Sequence, residues 1–206
     1  MPAPPLALRL ARFTRDRQGV AAIEFALLMP ILLMLVMATA EIVNAVDQKR
    51  KIVQLSRTLA DLTAQGDSQN PVSTTLMSDI LSSATPILAP FRATDATIQI
   101  AAIGVYQANN PSAAYVCSVY PKTGTRAVGF ATDIAIPKNF QRLGARFVLA
   151  EVRMPYRAIL GTSAPKFVPG LSLSFTWSEA VTWPVRSGTT YSADPEIVLP
   201  SGSNCP

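Results

Sequence analysis

An apolar run near the start of the chain places the strongest constraint on its fold. The run VAAIEFALLMPILLMLVMATA covers residues 20–40 and contains one charged side chain, Glu24. A helix rises about 1.5 Å per residue, so this run would span about 30 Å, the thickness of the hydrocarbon core of a bilayer. The sequence therefore predicts a transmembrane helix over residues 20–46, after a basic cytoplasmic leader at residues 1–19.

The distribution of charge supports a membrane partner. Eight of the 18 basic side chains, but only four of the 13 acidic ones, lie within the first 57 residues. These basic residues flank the apolar run on both sides, where anionic lipid headgroups would meet them. We therefore expect membrane lipid as a partner and no binding of nucleic acid.

A secretory signal peptide is the competing interpretation of the same run. Cleavage after Ala38-Thr39-Ala40 would fit the A-x-A pattern of such signals. Glu24 and Pro30 interrupt the apolar run, and the run is longer than the usual apolar region of about 7–15 residues. A retained anchor is the favoured interpretation.

Composition removes most kinds of catalytic and metal site. The chain has no histidine and two cysteines, so it cannot build a His-dependent triad or a Cys₄ metal site. Ser163 and Lys166 spell S-x-x-K, but Pro165 and Pro169 predict a loop there instead of the helix that motif needs. We expect no enzymatic activity, catalytic residue, metal, cofactor or small-molecule substrate.

Basic residues lie on both sides of the apolar run, so charge alone does not determine its orientation in the membrane. The two cysteines give separate evidence on the compartment of the C-terminal region. Cys117 and Cys205 are an even pair in a β-rich region, which suits a disulfide in an oxidising compartment. Two unpaired buried thiols in a cytosolic domain are the alternative. The disulfide interpretation places the C-terminal region outside the cytoplasmic membrane.

Beyond the apolar run, hydrophobic periodicity predicts an α+β fold. Ile42 and Val46, followed by Ile52, Leu55, Leu59 and Leu62, suggest an amphipathic helix extension over residues 47–65 that Gly66 ends. A short helix is expected over residues 72–84. Branched and aromatic residues predict strands over residues 97–106, 115–120, 147–154 and 171–183. Because long helices do not alternate with these strands, residues 66–206 should form an extracytoplasmic α+β domain with an antiparallel sheet.

The start of the apolar run resembles a known family. Residues 19–30 read G-x-A-A-x-E-F-A-x-x-x-P, a pattern similar to the N-terminus of TadE/TadG-like proteins, the minor pilins or pseudopilins of the tight-adherence (Flp) pilus machinery. The resemblance implies processing between Gly19 and Val20 by a prepilin peptidase. It also implies an assembly role for Glu24, with Phe25 beside it, in which the glutamate pairs with an N-terminal amine.

Two further runs are similar to this family. Residues 57–65, RTLADLTAQ, resemble the R-x-L-A-D-L-x-x-Q run that follows the span in TadG-like chains. Residues 148–156, VLAEVRMPY, resemble a V-x-V-E-V-x-Y-P-Y strand and depart from it at Ala150 and Met154.

Together these features predict a single-pass protein of the bacterial inner membrane with a periplasmic C-terminal domain. By resemblance it assists assembly of a tight-adherence (Flp/type IVb-like) pilus, with other pilus-machinery or pilin subunits as partners of the membrane helix. The alternative is a signal-anchored periplasmic binding or adhesin module in which Glu24 has no role.

Overall fold

The computed structural model describes residues 18–66, 71–107, 113–158, 174–186, 189–191 and 194–206, which contain three α-helices and seven strands. The helices are α1 (Gln18–Gln65), α2 (Thr74–Ser82) and α3 (Ala84–Leu88). The strands are β1 (Thr97–Gln107), β2 (Ala113–Tyr120), β3 (Gly129–Ala131), β4 (Arg146–Pro155), β5 (Thr176–Pro184), β6 (Thr189–Tyr191) and β7 (Asp194–Glu196). The chain divides into two compact units, Met1–Asn44 and Ala45–Pro206.

The described part of the first unit is helical and presents an apolar surface. Fourteen of its large hydrophobic residues between Val20 and Val43 are 53% to 67% exposed. At this level of exposure, no other described part of the unit packs over these side chains. Among the described residues, α1 is the one helix long and apolar enough to cross a membrane.

The second unit is built on a five-stranded antiparallel sheet. Its strand order is β3-β2-β1-β4-β5, and every neighbouring pair is antiparallel. Alternate residues of β1 and β4 point to the same face of the sheet, because side chains alternate along a strand. On one face, Ile100 and Ala102 of β1 join Val148, Ala150 and Val152 of β4 in the core beneath the helices.

The C-terminal part of α1 covers that face. Ile52, Leu55 and Leu59 are fully buried, at the three- and four-residue spacing that aligns side chains along one side of a helix. Gly66 follows the helix with a φ of +66° and donates its N–H to the carbonyl of Thr63 at 3.0 Å. This left-handed conformation suits glycine and ends the helix at the predicted residue.

A loop covers the opposite face of the sheet. Ala101, Ile103, Phe147 and Leu149 point to this side and form a second cluster with residues 134, 136 and 140 of the segment between β3 and β4. The rings of Phe140 and Phe147 lie 4.9 Å apart. The sheet is therefore apolar on both faces, which explains why its central strands do not show a simple alternation of polar and apolar residues.

The C-terminal segment is fixed to the helix-covered face. Leu199 is fully buried in the core, and its N–H donates to the Ser118 hydroxyl at 3.0 Å. Cys117 and Cys205 form a disulfide across a sequence separation of 88 residues. The disulfide expected from the cysteine pair is confirmed, and its effect is to hold the last residues against strand β2.

The predicted α+β class, the continuous helix to residue 65 and the antiparallel sheet are confirmed. The short helix is interrupted by a turn at Ser83, which divides it into α2 and α3. Strand β5 begins at Thr176, five residues later than predicted. Of the five residues concerned, 171–173 lie outside the described residues, and Ser174 and Phe175 precede the strand.

One part of the predicted helix periodicity is wrong. The periodicity predicts one apolar stripe that includes both Val46 and Ile52, but Val46 is 47% exposed while Ile52 is fully buried. Six residues rotate a helix by about 600°, which places these two side chains about 120° apart. The apolar residues before and after the polar stretch 47–51 therefore form two separate stripes.

The disulfide provides a test of the C-terminal segment. Replacing both Cys117 and Cys205 by serine should lower the free energy of unfolding of the second unit by about 4–5 kcal/mol, because the cross-link restricts a long loop in the unfolded chain. Urea unfolding of the full chain in detergent, followed by tryptophan fluorescence, measures this loss. Added reductant should bring the wild type to the stability of the variant, and two free thiols in the oxidised wild type would contradict the assignment.

Candidate functional site

The carboxylate of Glu24 lies on the exposed apolar helix of the first unit. Glu24 is exposed, and it makes no ion pair with any residue that the structure describes. Side chains three and four positions away on a helix are its neighbours, and here they are Val20, Ala21, Leu27 and Leu28. All four are apolar, so among the described residues the helix neighbours of Glu24 supply no positive charge.

Insertion in a bilayer would make an unpaired Glu24 unfavourable. A carboxylate near the centre of a transmembrane helix costs about 2.5–3.5 kcal/mol on insertion scales, and such groups usually have a partner. The only other polar group between Glu24 and Ala40 is Thr39, whose hydroxyl donates to the carbonyl of Leu35 at 2.8 Å. Thr39 is therefore satisfied within the helix, whereas Glu24 has no ion-pair partner among the described residues.

Gly19 and Val20 lie in the first turn of α1 as the structure describes it. A Cβ atom added at Gly19 would meet nothing within 4 Å. Packing within the described residues therefore gives no reason for glycine at this position. Phe25, the other residue assigned to assembly, is 62% exposed and makes the surface beside Glu24 aromatic.

The run at residues 57–65 attaches α1 to the sheet of the second unit. Leu59, Ala60 and Ala64 are fully buried beneath the sheet. The carboxylate of Asp61 lies 2.9 Å from the guanidinium of Arg186, just after β5. The residues that resemble TadG-like chains here therefore contribute to packing within the unit.

The run at residues 148–156 corresponds to β4 and contains an acid with a structural partner. Glu151 faces away from the helices and accepts two hydrogen bonds from Arg126, at 2.6 and 2.9 Å. The two departures from the family pattern, Ala150 and Met154, point to the other face and are buried in the core. The glutamate in this run thus belongs to an ion-pair network with Arg126.

The Arg126 network holds the loop after β2 against the sheet. Arg126 also binds Asp133 through two hydrogen bonds, at 2.8 and 3.0 Å, and its backbone N–H donates to the Gln99 side chain at 2.9 Å. The hydrogen bonds that Arg126 donates to Glu151 are the main cause that raises the pKa of Arg126, and those that it donates to Asp133 lower the pKa of Asp133. Both shifts favour the charged forms.

A buried ion pair lies beside the disulfide. Arg146 Nε is 3.5 Å from Glu196 Oε2, and both side chains are almost completely buried. The Glu196 carboxylate also accepts a hydrogen bond from the N–H of Cys205, and the Arg146 guanidinium lies 5.4 Å from the centre of the Tyr106 ring. This pair ties β4 to the C-terminal segment, and nothing in the sequence pattern indicated it.

A cavity lies between the loop after β2 and the C-terminal segment. Its volume is about 500 Å³, and it lies beside Cys117 and the loop of residues 122–128, with Ser201 to Ser203 lining its other side. Within the described parts of the chain, no three His, Cys, Asp or Glu side chains are close enough together to hold a metal ion. The predicted S-x-x-K pair, Ser163 and Lys166, lies outside the described residues.

The pKa shift of Asp133 predicts how acid affects the Arg126 network. The ordinary pKa of this carboxyl group is 3.8 and the folded value is lower, so the pair stabilises the fold above that pH and ceases to do so as pH falls through the lowered pKa. Because Asp133 is well exposed, its replacement by Asn should destabilise the second unit at pH 7 by only about 0.2–1 kcal/mol.

Urea unfolding at neutral and acidic pH measures this difference. The stability gap between wild type and Asp133→Asn should close at acidic pH. Asp79→Asn is the matched control, since Asp79 is exposed and forms no ion pair among the described residues. A gap that stayed constant with pH, or an equal effect of the control, would show that the ion pair does not stabilise the loop.

Comparison with known families finds a match to the N-terminal helix. Residues 19–61, about a fifth of the chain, match the family model described as TadE-like protein. No curated protein and no solved structure matches the chain. A TadE-like segment indicates a Tad pilus-associated protein and a general association with the pilus machinery, and its apolar helix is a candidate membrane anchor. The resemblance predicted from the sequence is therefore confirmed over residues 19–61, the part of the chain that matches the TadE-like family.

Proposed function

We propose that this protein is a minor pilin-like or pseudopilin-like structural component that assists assembly of a Tad (Flp) pilus. One observation carries the proposal: the TadE-like match at residues 19–61 includes the exposed apolar helix that contains Glu24. A helix with an apolar surface and one unpaired acid is suited to contacts with other helices in a bilayer. We assign the protein a structural role, with no enzymatic activity, cofactor or small-molecule substrate.

The proposed location is the bacterial inner membrane, with the second unit in the periplasm and residues 1–19 as a cytoplasmic leader. The Cys117–Cys205 disulfide supports this orientation, because disulfides persist in oxidising compartments and are rare in the cytosol. The membrane helix over residues 20–46 would then cross the bilayer in lipid.

Glu24 would act through charge pairing. If the chain is cut after Gly19, Val20 acquires a free amine, which is largely protonated at neutral pH because its ordinary pKa is about 7.7–8.0. Val20 and Glu24 are four residues apart, so this amine, or that of an adjacent subunit, provides the cation that the helix face lacks. A buried pair of this kind contributes more to the register of the helices than to net stability.

The role of Glu24 can be tested by mutation. Glu24→Ala should leave the second unit folded but reduce pilus assembly at least about tenfold, corresponding to loss of about 1.4 kcal/mol or more in subunit association. Pilus abundance on cells and the cellular level of the protein are the two measurements. Ile23→Ala is the control, because Ile23 is the preceding residue, is also exposed and carries no charge. Normal piliation with Glu24→Ala would contradict the assembly role.

Processing after Gly19 is tested by the mass of the protein extracted from membranes. The expected mature N-terminus is Val20, and Gly19→Val should retain the leader without disturbing the fold, since a side chain at Gly19 has open space around it. An N-terminus at Met1 in the wild type would exclude processing. An N-terminus at Glu41 would establish a cleaved signal peptide and so remove the membrane helix from the mechanism.

The binding or adhesin alternative requires a different experiment. Replacing residues 1–46 by an unrelated transmembrane anchor should abolish pilus assembly if the helix makes specific contacts. An adhesin or binding module would keep its activity after the exchange, because it uses the helix only for attachment.

A further inference from the structure

Three aromatic rings cluster at one end of the sheet in the second unit. Tyr156 and Phe175 stack with their ring centres 4.8 Å apart, and Trp177 meets Phe175 edge to face, also at 4.8 Å. Phe175 is 41% exposed, whereas Tyr156 is buried. We call this cluster, together with Lys49, the aromatic end of the domain.

The same end is attached to the first turns of α1 within the second unit. Gln48 donates to the carbonyl of Pro155 at 3.1 Å, and the Lys49 ammonium pairs with Glu179 at 2.6 Å. Lys49 also lies 5.5 Å from the centre of the Trp177 ring. The aromatic end is therefore fixed to residues 48 and 49 of the chain.

Residues 48 and 49 follow closely after the apolar segment. Lys49 comes six residues after Val43, the last exposed large hydrophobic residue of the first unit. Six residues span at most about 22 Å even in a fully extended chain. If the apolar helix is in a bilayer, as the proposed function requires, the aromatic end cannot lie far from the headgroups.

The chemistry of the aromatic end suits that location. Tryptophan and tyrosine are enriched at the boundary between lipid and water, and lysine can extend its charge to headgroups while its alkyl chain stays on apolar surface. Lys49, Arg50 and Lys51 follow Asp47 on α1, and Arg157 follows Tyr156. Arg92 lies near Asp95, whose N–H donates to the Arg92 carbonyl at 3.0 Å, and Arg153 lies opposite Ser178 of β5. These basic side chains outnumber the acidic ones named here, Asp47, Asp95 and Glu179. Lys49 and Arg157 are paired with Glu179 and Asp95, whereas Arg50, Lys51 and Arg92 form no ion pair with any residue described.

We propose that the aromatic end binds the surface of an anionic bilayer, with Phe175 and Trp177 at the level of the headgroups. The exposed Phe175 ring enters the interface with Trp177 beside it, and the excess of basic side chains is attracted to anionic lipid. The sheet would then rest on the membrane by its β4–β5 end instead of being held only by the helix.

The two tryptophans of the chain provide a test with an internal control. Trp177 is at the aromatic end, and Trp183 lies six residues further along β5, about 20 Å away in an extended strand. Trp183→Phe leaves Trp177 as the reporter, and Trp177→Phe leaves Trp183. Each full-length variant is inserted into phosphatidylglycerol vesicles that contain a lipid with a nitroxide quencher on its headgroup.

In anionic vesicles, quenching of Trp177 should be at least about twice as strong as quenching of Trp183. This difference should become smaller in phosphatidylcholine vesicles, because electrostatic attraction needs a charged surface. Phe175→Ser and Arg50→Gln should each reduce quenching of Trp177, with Leu143→Ser as an exposed control away from the aromatic end. Equal quenching of the two tryptophans, or quenching of Trp177 that does not depend on lipid charge, would overturn the proposal.

Insertion is measured separately, by resistance of the protein to alkaline extraction from the same vesicles. A chain that inserts but shows no selective quenching of Trp177 excludes contact of the aromatic end while leaving the proposed function intact. A chain that does not insert removes the membrane role on which both depend.

Discussion

Burial of one side of α1 against the sheet is the contact on which the second unit depends. Ile52, Leu55 and Leu59 lose all solvent contact there, and burial of a side chain of this size stabilises the fold by about 1.5–3 kcal/mol. The ends of the contact are also fixed, since Lys49 binds Glu179 near the start of β5 and the N–H of Arg186 donates to the carbonyl of Ala64 beyond its end. The helix therefore runs alongside β5, and the sheet cannot leave the helix without exposing its core.

Local patterns explain how much of this architecture could be predicted from the sequence. The helix periodicity of residues 52–62 and the glycine at position 66 are signals that a short window contains, and both are confirmed. The prediction that Val46 shares a stripe with Ile52 is wrong because polar residues lie between them. The sequence spacing looks continuous, but the rotation of the helix over six residues points the two side chains in different directions. Strand β3 has three residues, too few for a periodic pattern, and it exists because it pairs with Ala114–Val116 of β2.

The polar network around Arg126 could not be found in the same way. Glu151 stands 25 residues after Arg126, and Gln99 stands 27 residues before it, so no local spacing relates them. The three meet because β1 and β4 are adjacent and antiparallel, with Gln99 directly opposite Glu151. Glu151 lies in a run that resembles a family motif, but a motif does not specify the partner that folding brings to it. The same holds for Arg146 and Glu196, which are separated by 50 residues and meet in the interior.

Glu24 and Lys49 together limit where the apolar segment can sit in a bilayer. Twenty-five residues separate them, and in a helix this corresponds to about 38 Å. That length exceeds the hydrocarbon core of about 30 Å but not the full bilayer of about 40–45 Å with its headgroups. With Lys49 among the headgroups on one side, Glu24 can approach the opposite boundary, where a carboxylate is tolerated more readily than at the centre. A pairing partner for Glu24 must then come from the part of the membrane close to that boundary, which is where an amine created at Val20 would lie.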